Sequence, residues 1–418
     1  MFKSIRLIAV LIACSFSVEA TIYDNRYFPF YSYIFPRINR KPSWANTSIY
    51  FVTADDARDE VSKVGIPELC GFFDQKQLGR ALQKVGLDNP LRPDFQLLPG
   101  IPWNLAGKLT GQGVGFEGEQ ALSEHFSVGL SAWFLHTSSS INFILDPVLA
   151  RDLGFNNGKE GDLFELDREL RSMLQELGLE GGQWSKSGVT DVDLYLRYGN
   201  IWESVWKFRS VGAGIRVGVL APSGSPRTID SAASVPFSGN KHPGFYVEGD
   251  FELELKEDIY CGGLLRVIGR KSECEEVRFS ALGEPPLFGT ISANANVDPG
   301  VGVAFSLYGT FEGIREGLGL QGRYTISYHH NDCFSGIEPC EDLTIQEVDS
   351  LSVDQLVACS TFISEYFSLN LFYDFATPDN CRRFDATLFF AWDIPIDVLA
   401  AKNFVRTNRI ALGFQMNY

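Results

Sequence analysis

Several side chains in this sequence are of types that catalyse or ligate. His329, His330, Asp332 and Cys333 lie close together, and imidazole, carboxylate and thiolate are all metal ligands. Ser327 and His329 are two apart, a spacing that puts both on one face of a strand, where a histidine could activate a hydroxyl. Gly113-x-Gly115-x-x-Gly118 and Gly317-x-Gly319-x-x-Gly322 spell the dinucleotide-binding pattern. Their surroundings argue against each. Both glycine patterns fall in alternating segments with no helix behind them, whereas a pyrophosphate needs a helix N-terminus. The histidine cluster borders a polar loop and reads as a solvated strand end. No P-loop and no HExxH occurs. The expectation is no catalytic residue, no metal set and no cofactor, with Ser327 and His329 the single opening for a lipid hydrolase.

The more systematic chemistry is charge carried on one face of successive segments. Asp191, Asp193 and Arg197 precede Arg216. Glu248, Asp250, Glu252 and Glu254 follow, then Arg266 and Arg270, then Arg323, Asp374, Arg383, Asp385 and Arg409. Unlike charges therefore meet on neighbouring segments. Charges held inside a structure must be paired or wet. Two readings stay open: a ladder of ion pairs that props and narrows an enclosed space, or a charged constriction that selects solutes.

The elements that must position these residues alternate with period two. In Phe126 to Phe134, Val128, Leu130, Ala132 and Phe134 share one side with Phe126. Leu194 and Leu196 oppose Asp193 and Arg197, and Ile215, Val217 and Val219 oppose Gly214, Arg216 and Gly218. Phe245, Val247, Phe251 and Leu253 oppose Glu248, Asp250 and Glu252. Successive strand side chains point to opposite faces, so each segment has one apolar and one polar side. The spacing predicts strands at 45–54, 105–118, 125–137, 189–199, 205–220, 244–255, 259–270, 299–311, 317–330, 357–376, 382–393 and 404–418. Ten or fourteen strands are the neighbouring counts. Segments of this length exceed ordinary globular strands and match a tilted bilayer crossing. Short connections (120–124, 199–204, 256–258, 313–316, 377–380) alternate with long ones (55–104, 138–187, 221–243, 271–297, 331–354, 394–402). A closed antiparallel transmembrane β-barrel with tight turns on one rim and large loops on the other predicts that asymmetry. Tyr198, Trp202, Trp206, Phe311, Phe375 and Tyr418 fall near the short turns, where an aromatic girdle would lie.

Composition agrees. The 418 residues are 45% apolar and 21% charged, too apolar for disorder and too polar for a bundle of membrane helices. No later run approaches a spanning helix. The net charge of −16 argues against nucleic acid. Lys3 and Arg6, the apolar run Leu7–Ala13 and Val18-Glu19-Ala20 read as a secretory signal over 1–20. Leu11-Ile12-Ala13-Cys14 loosely fits lipoprotein processing as an alternative. Residues 21–43 read as an N-terminal periplasmic segment or plug, and 44–418 as the barrel. Losing Cys14 leaves seven cysteines, an odd number, and Cys333 and Cys340 share a polar loop where they could pair. Leu163, Leu166, Leu170, Met173, Leu174 and Leu177 recur at helical spacing before Gly178, and 74–85 reads as a second, weaker helix with Lys76, Arg80 and Lys84.

The chain ends with Ile410, Leu412, Phe414, Met416 and Tyr418 on one face. A last strand ending in an aromatic residue resembles the assembly signal of Gram-negative outer-membrane β-barrel proteins, which usually end in Phe where this chain has Tyr. The likeness covers about 44–418, is porin-like in architecture and extends loosely to fatty-acid-transporter-type barrels. It fixes no single family. The resemblance implies the cell outer membrane, lipid and the barrel-assembly machinery as partners, and room for a homo-oligomer. The function expected is passage or binding of small solutes through a charged, loop-narrowed lumen. The alternatives are a closed structural or adhesive barrel acting through its loops, and an outer-membrane hydrolase.

Overall fold

The structure, a computed structural model, describes residues 43–60, 62–66, 73–74, 102–145, 182–280, 291–339, 352–375 and 385–418, with Gly289 and some positions between 165 and 175. Its main element is one sheet closed on itself. Twelve strands make the ring: β1 (Trp44–Ala54), β2 (Pro102–Ala121), β3 (Phe126–Leu145), β4 (Val192–Glu203), β5 (Ser210–Ala221) and β6 (Gly244–Lys256). It continues with β7 (Ile259–Arg270), β8 (Gly302–Arg315), β9 (Leu318–His329), β10 (Phe362–Asp374), β11 (Asp385–Pro395) and β12 (Asn408–Asn417). Chain neighbours pair antiparallel throughout. β12 then pairs with β1, from Asn417 opposite Trp44 to Asn408 opposite Thr53, so the ring has no free edge. The fold is the twelve-stranded antiparallel barrel that the alternation predicts.

The reason lies in where each half of the alternation goes. Ile49, Phe51, Val114, Phe116, Leu194, Leu196, Val217 and Val219 stand exposed on the outer surface. Phe245, Val247, Leu265, Val267, Phe305, Leu307, Leu388, Leu412 and Phe414 continue the stripe around the ring. An apolar band of that extent is far larger than the patches soluble monomers expose, and it suits acyl chains as solvent. In lipid every backbone N–H and C=O needs an internal partner, which a closed ladder supplies. No helix among the described residues is long and apolar enough to cross a membrane. The crossing is made by strands.

The connections alternate as expected. Tight turns close β2–β3, β4–β5, β6–β7 and β8–β9, and long loops leave the opposite rim. Both chain ends of the ring meet on the short-turn rim, where the Tyr418 N–H donates to the Ser43 carbonyl at 2.9 Å. Tyr198, Trp202, Phe311, Phe375 and Tyr418 are exposed near that rim, and Trp206 is 81% exposed in a turn. Two long loops combine into a small cap: strands Glu273–Phe279, Ile291–Asp298 and Cys333–Pro339 form a sheet. Its core of Val277, Phe279, Ile291, Val297 and Phe334 also takes Leu356 from the helix Val353–Ser360.

Four details differ from the sequence expectation. β3 runs to Leu145, past the end expected at 137, and Gln183–Val189, within and just after the loop expected over 138–187, pairs with it as a separate strand. The turn placed at 199–204 lies at 204–209, because β4 runs to Glu203 and Ser204 and Trp206 adopt positive φ (53° and 57°), closed by Ser204 N–H to the Arg209 carbonyl. The strand expected over 357–376 begins at Phe362; Val353–Ser360 is helical because Leu356 packs into the cap. The last strand begins at Asn408, while Phe404–Val405 pairs instead with Ala57–Arg58. The proposed leader 1–20, most of the segment 21–43, residues 75–85 of the expected helix, Cys340 and Arg383 lie outside the described residues, and Asp74, the expected start of that helix, pairs as strand with Pro102. So do the leucines of the helix near 163–177, although Glu165, Arg168, Glu169, Arg171, Ser172 and Gln175 are helical.

Candidate functional site

The lumen is built from the inward half of every strand. Register fixes which inward side chains become neighbours. Glu248 on β6 lies opposite Arg216 on β5 and Arg266 on β7. Arg216 Nη1 sits 2.7 Å from Glu248 Oε1, and Arg266 Nε donates to Glu248 Oε2 at 2.6 Å. One step toward the short turns, Arg197 on β4 grips Asp250 through Nη2 (2.8 Å) and Nε (3.3 Å). Glu119 on β2 completes the cluster, 3.6 Å from Arg216 Nη2 and 4.0 Å from Arg197 Nη1. Arg266 Nη1 also reaches Asp193 Oδ2 at 3.8 Å.

Tyrosines knit the charges into the wall. Tyr195 donates to Glu119 (3.1 Å), Tyr246 to Asp193 (2.9 Å) and Tyr308 to Glu252 (3.0 Å). The Arg216 guanidinium lies 4.3 Å from the Tyr195 ring centroid, and that of Arg266 lies 4.1 Å from Tyr246. Cation–π contact and hydrogen bonding thus hold each guanidinium flat against its strand. Each ring needs room on the neighbouring strand. A Cβ at Gly218 would stand 2.4 Å from the Tyr246 ring, so glycine there is what lets the ring lie down.

The rest of the lumen is different. β8, β9 and β10 contribute a wall of uncharged polar pairs around the buried Arg323: Ser306 bonded to Thr325 (2.8 Å), and Asn370 to Gln321 to Thr310 (2.9 and 3.0 Å). Beyond it the lining turns apolar. Tyr50, Val52, Leu109, Trp133, Leu135, Phe372, Phe389 and Ala391 form one buried cluster. Arg409 stands within it, paired to Asp393 at 2.6 Å.

A loop enters this apolar side. Val235 and Phe237, from the loop joining β5 to β6, belong to the same cluster as Tyr50, Phe389 and Val405, and Phe237 is 0% exposed. Trp184 meets the Phe237 ring edge-on at 6.0 Å. Asp191 anchors the loop. Its carboxylate accepts from Gly224 N–H (3.2 Å), Ser238 Oγ (3.0 Å), Gly239 N–H (3.2 Å) and Arg270 Nη1 (2.8 Å). Arg270 also donates to the His242 carbonyl at 2.7 Å. A Cβ on Gly239 would overlap the Arg270 guanidinium, so the backbone approaches only as glycine. His242 locks the loop to the cap: its ring nitrogens face the Lys271 carbonyl (2.9 Å) and Glu275 (3.6 Å). Burial pushes this imidazole down, but the Glu275 carboxylate and the Lys271 carbonyl outweigh it and hold its proton above the ordinary histidine range.

The charged residues singled out in the sequence therefore fall into separate groups. Asp193, Arg197, Arg216, Glu248, Asp250, Glu252 and Arg266 share one wall, while Asp191 and Arg270 hold the loop. Arg409 lies across the lumen with Asp393, and Arg323 is buried opposite Tyr308 and Ser368. Asp374 and Asp385 lie at the short-turn end, Asp385 opposite Asn417. Sequence reasoning missed Glu119, Asp393 and the tyrosines, all of which share the parity of the charged faces. Ser327 and His329 point inward, away from acyl chains, and His329 stacks on Phe362 (centroids 4.9 Å apart) beside Asp332. No cluster that could hold a metal occurs among the described residues.

No protein-family model matches the chain, and no curated relative does. Solved structures do match. An outer membrane channel from Pseudomonas putida F1 superposes with a TM-score of 0.50 at 12% identity, over 93% of this chain and 98% of that one. The Pseudomonas putida toluene transporter TodX follows with a TM-score of 0.32 and 9% identity, over 96% and 98%. A likeness this distant in sequence is one of fold, and the fold is that of an outer-membrane β-barrel.

Proposed function

We propose that this barrel sits in the outer membrane as a channel for small solutes, passed through a lumen narrowed by the loop between β5 and β6. The observation that carries the reading is the two-sided lining. A twelve-stranded ring is wider than the eight-stranded barrels that side chains fill and narrower than open porins. Here one wall is charged, the facing wall is apolar, and Phe237 projects into the apolar side from a loop. Small molecules with an apolar body and a polar or cationic end suit such a passage. The cationic preference follows from the acids Glu119, Asp193, Glu248, Asp250 and Glu252, with the buried Glu117 beside Glu119 on β2, outnumbering Arg197, Arg216 and Arg266 on that wall.

The second reading is a closed scaffold acting through its loops. The inward loop and the folded cap on the same rim favour it. Single-channel recording in planar bilayers separates the two. Discrete current steps, enlarged several-fold when residues 226–238 are replaced by a short Gly-Ser link, are the expected result. No current from either protein would remove the channel and leave the scaffold.

A further inference from the structure

One acid breaks the apolar stripe. On the outer face of β10 the order is Ile363, Glu365, Phe367, Leu369, Leu371 and Tyr373, and Glu365 stands opposite Ile326 on β9. A carboxylate on that face, near the upper edge of the lipid-facing band, would cost heavily if it met acyl chains. Glu365 is instead 0% exposed. The chain leaving β11 at Pro395 covers it. Ile396 N–H donates to the Glu365 carbonyl (3.0 Å), and Lys402 and Ile363 exchange both backbone hydrogen bonds at 2.9 Å. Between those two clamps the backbone bows outward around the carboxylate. The N–H groups of Val398 (3.1 Å), Leu399 (3.1 Å) and Ala400 all donate to it. Asp397 turns sideways to Arg58 at 3.0 Å. What the bow presents outward is Val398, 69% exposed, and Leu399, 71% exposed.

We infer that residues 396–401 are a membrane-seated cover, held in shape by the Glu365 carboxylate, whose partner is the acyl chains of the surrounding lipid. The inference rests on the membrane reading of the barrel. The occupant follows from continuity: Val398 and Leu399 stand over the one gap in a stripe formed by Ile363, Phe367, Leu371 and their neighbours. A loop facing water would expose its polar backbone and hide those two side chains. This one spends its N–H groups on a buried anion and shows its apolar tips. Ion pairs Lys402–Glu60 (3.0 Å) and Arg406–Asp56 (3.0 Å) flank it, as suits a site just above the hydrocarbon edge.

Leu399→Trp and Leu412→Trp, each compared with the parent by difference emission in phospholipid vesicles, test this. Leu412 lies in the stripe on β12. Bromine placed on the acyl chain just below the headgroup quenches Leu399→Trp, and mid-chain bromine quenches Leu412→Trp more strongly. If neither lipid quenches Leu412→Trp, the membrane reading itself falls. If Leu412→Trp is quenched while Leu399→Trp answers only to aqueous acrylamide, the cover is overturned and the barrel stands. Adding Glu365→Gln to Leu399→Trp lowers lipid quenching and raises acrylamide access. An unchanged signal would overturn the role given to the carboxylate. Heat-modifiable gel mobility confirms that each variant is folded.

Discussion

At the scale of single residues, the inward loop depends on two groups. Asp191 accepts from two backbone amides, a serine and Arg270. Asp191→Ala leaves Arg270 buried without its counter-charge, a loss of about 3–5 kcal/mol for a buried pair. Faster hydrogen exchange at the Gly224 and Gly239 amides, with the barrel strands unchanged, is the expected readout. His242 gives the loop a pH dependence. The folded state holds the imidazole proton more tightly than the unfolded chain does. The contribution is therefore complete below about pH 6.5, the unfolded value, and fades as pH rises through the elevated folded value. Protection at the amides of residues 239–242, taken relative to the intrinsic base-catalysed exchange rate, falls at alkaline pH in the parent, and His242→Gln abolishes that dependence. A flat profile in the parent would contradict the assignment.

At the scale of elements, the inward tyrosines dictate where a neighbouring strand must carry glycine. Gly218→Ala drives a methyl into the Tyr246 ring, which is tied to Asp193 and lies beneath Arg266. Overpacking of this kind costs about 1–3 kcal/mol, read as a lower urea midpoint at unchanged slope. Strand places were legible in the sequence because period two is local: every barrel strand falls on an alternating segment. The helix Val353–Ser360 carries its own signal, Val353, Leu356, Val357 and Ser360 at helical spacing, but it runs directly into β10, and the alternation alone divides it between the loop 331–354 and the strand 357–376. Glu119 hid among glycines, although Gly113, Gly115, Glu117 and Glu119 share one inward parity on β2. The inward loop had no such signal. Val235 and Phe237 sit in a stretch of Ser, Pro and Gly, and what receives them comes from β1, β3 and β11, far away in the chain. The covered Glu365 was equally hidden, since its shield is a loop that folds back only after β11.

At the scale of the molecule, net acidity and the charged wall act together. A cation-preferring reversal potential in a salt gradient is expected, weakening as ionic strength rises and the Debye length shrinks below about 10 Å. A potential favouring anions would contradict the proposed sign of the lumen. The ring also bears on how the protein is made. Its seam joins the ring's first strand in the chain to its last, from Trp44 beside Asn417 to Thr53 beside Asn408. Until both strands are in place, the chain is an open ribbon with two unsatisfied borders, and both borders invite pairing with other chains. Closure of the ring pairs both borders at once and removes that hazard. A chain clipped before Asn408 would remain a permanent aggregation hazard.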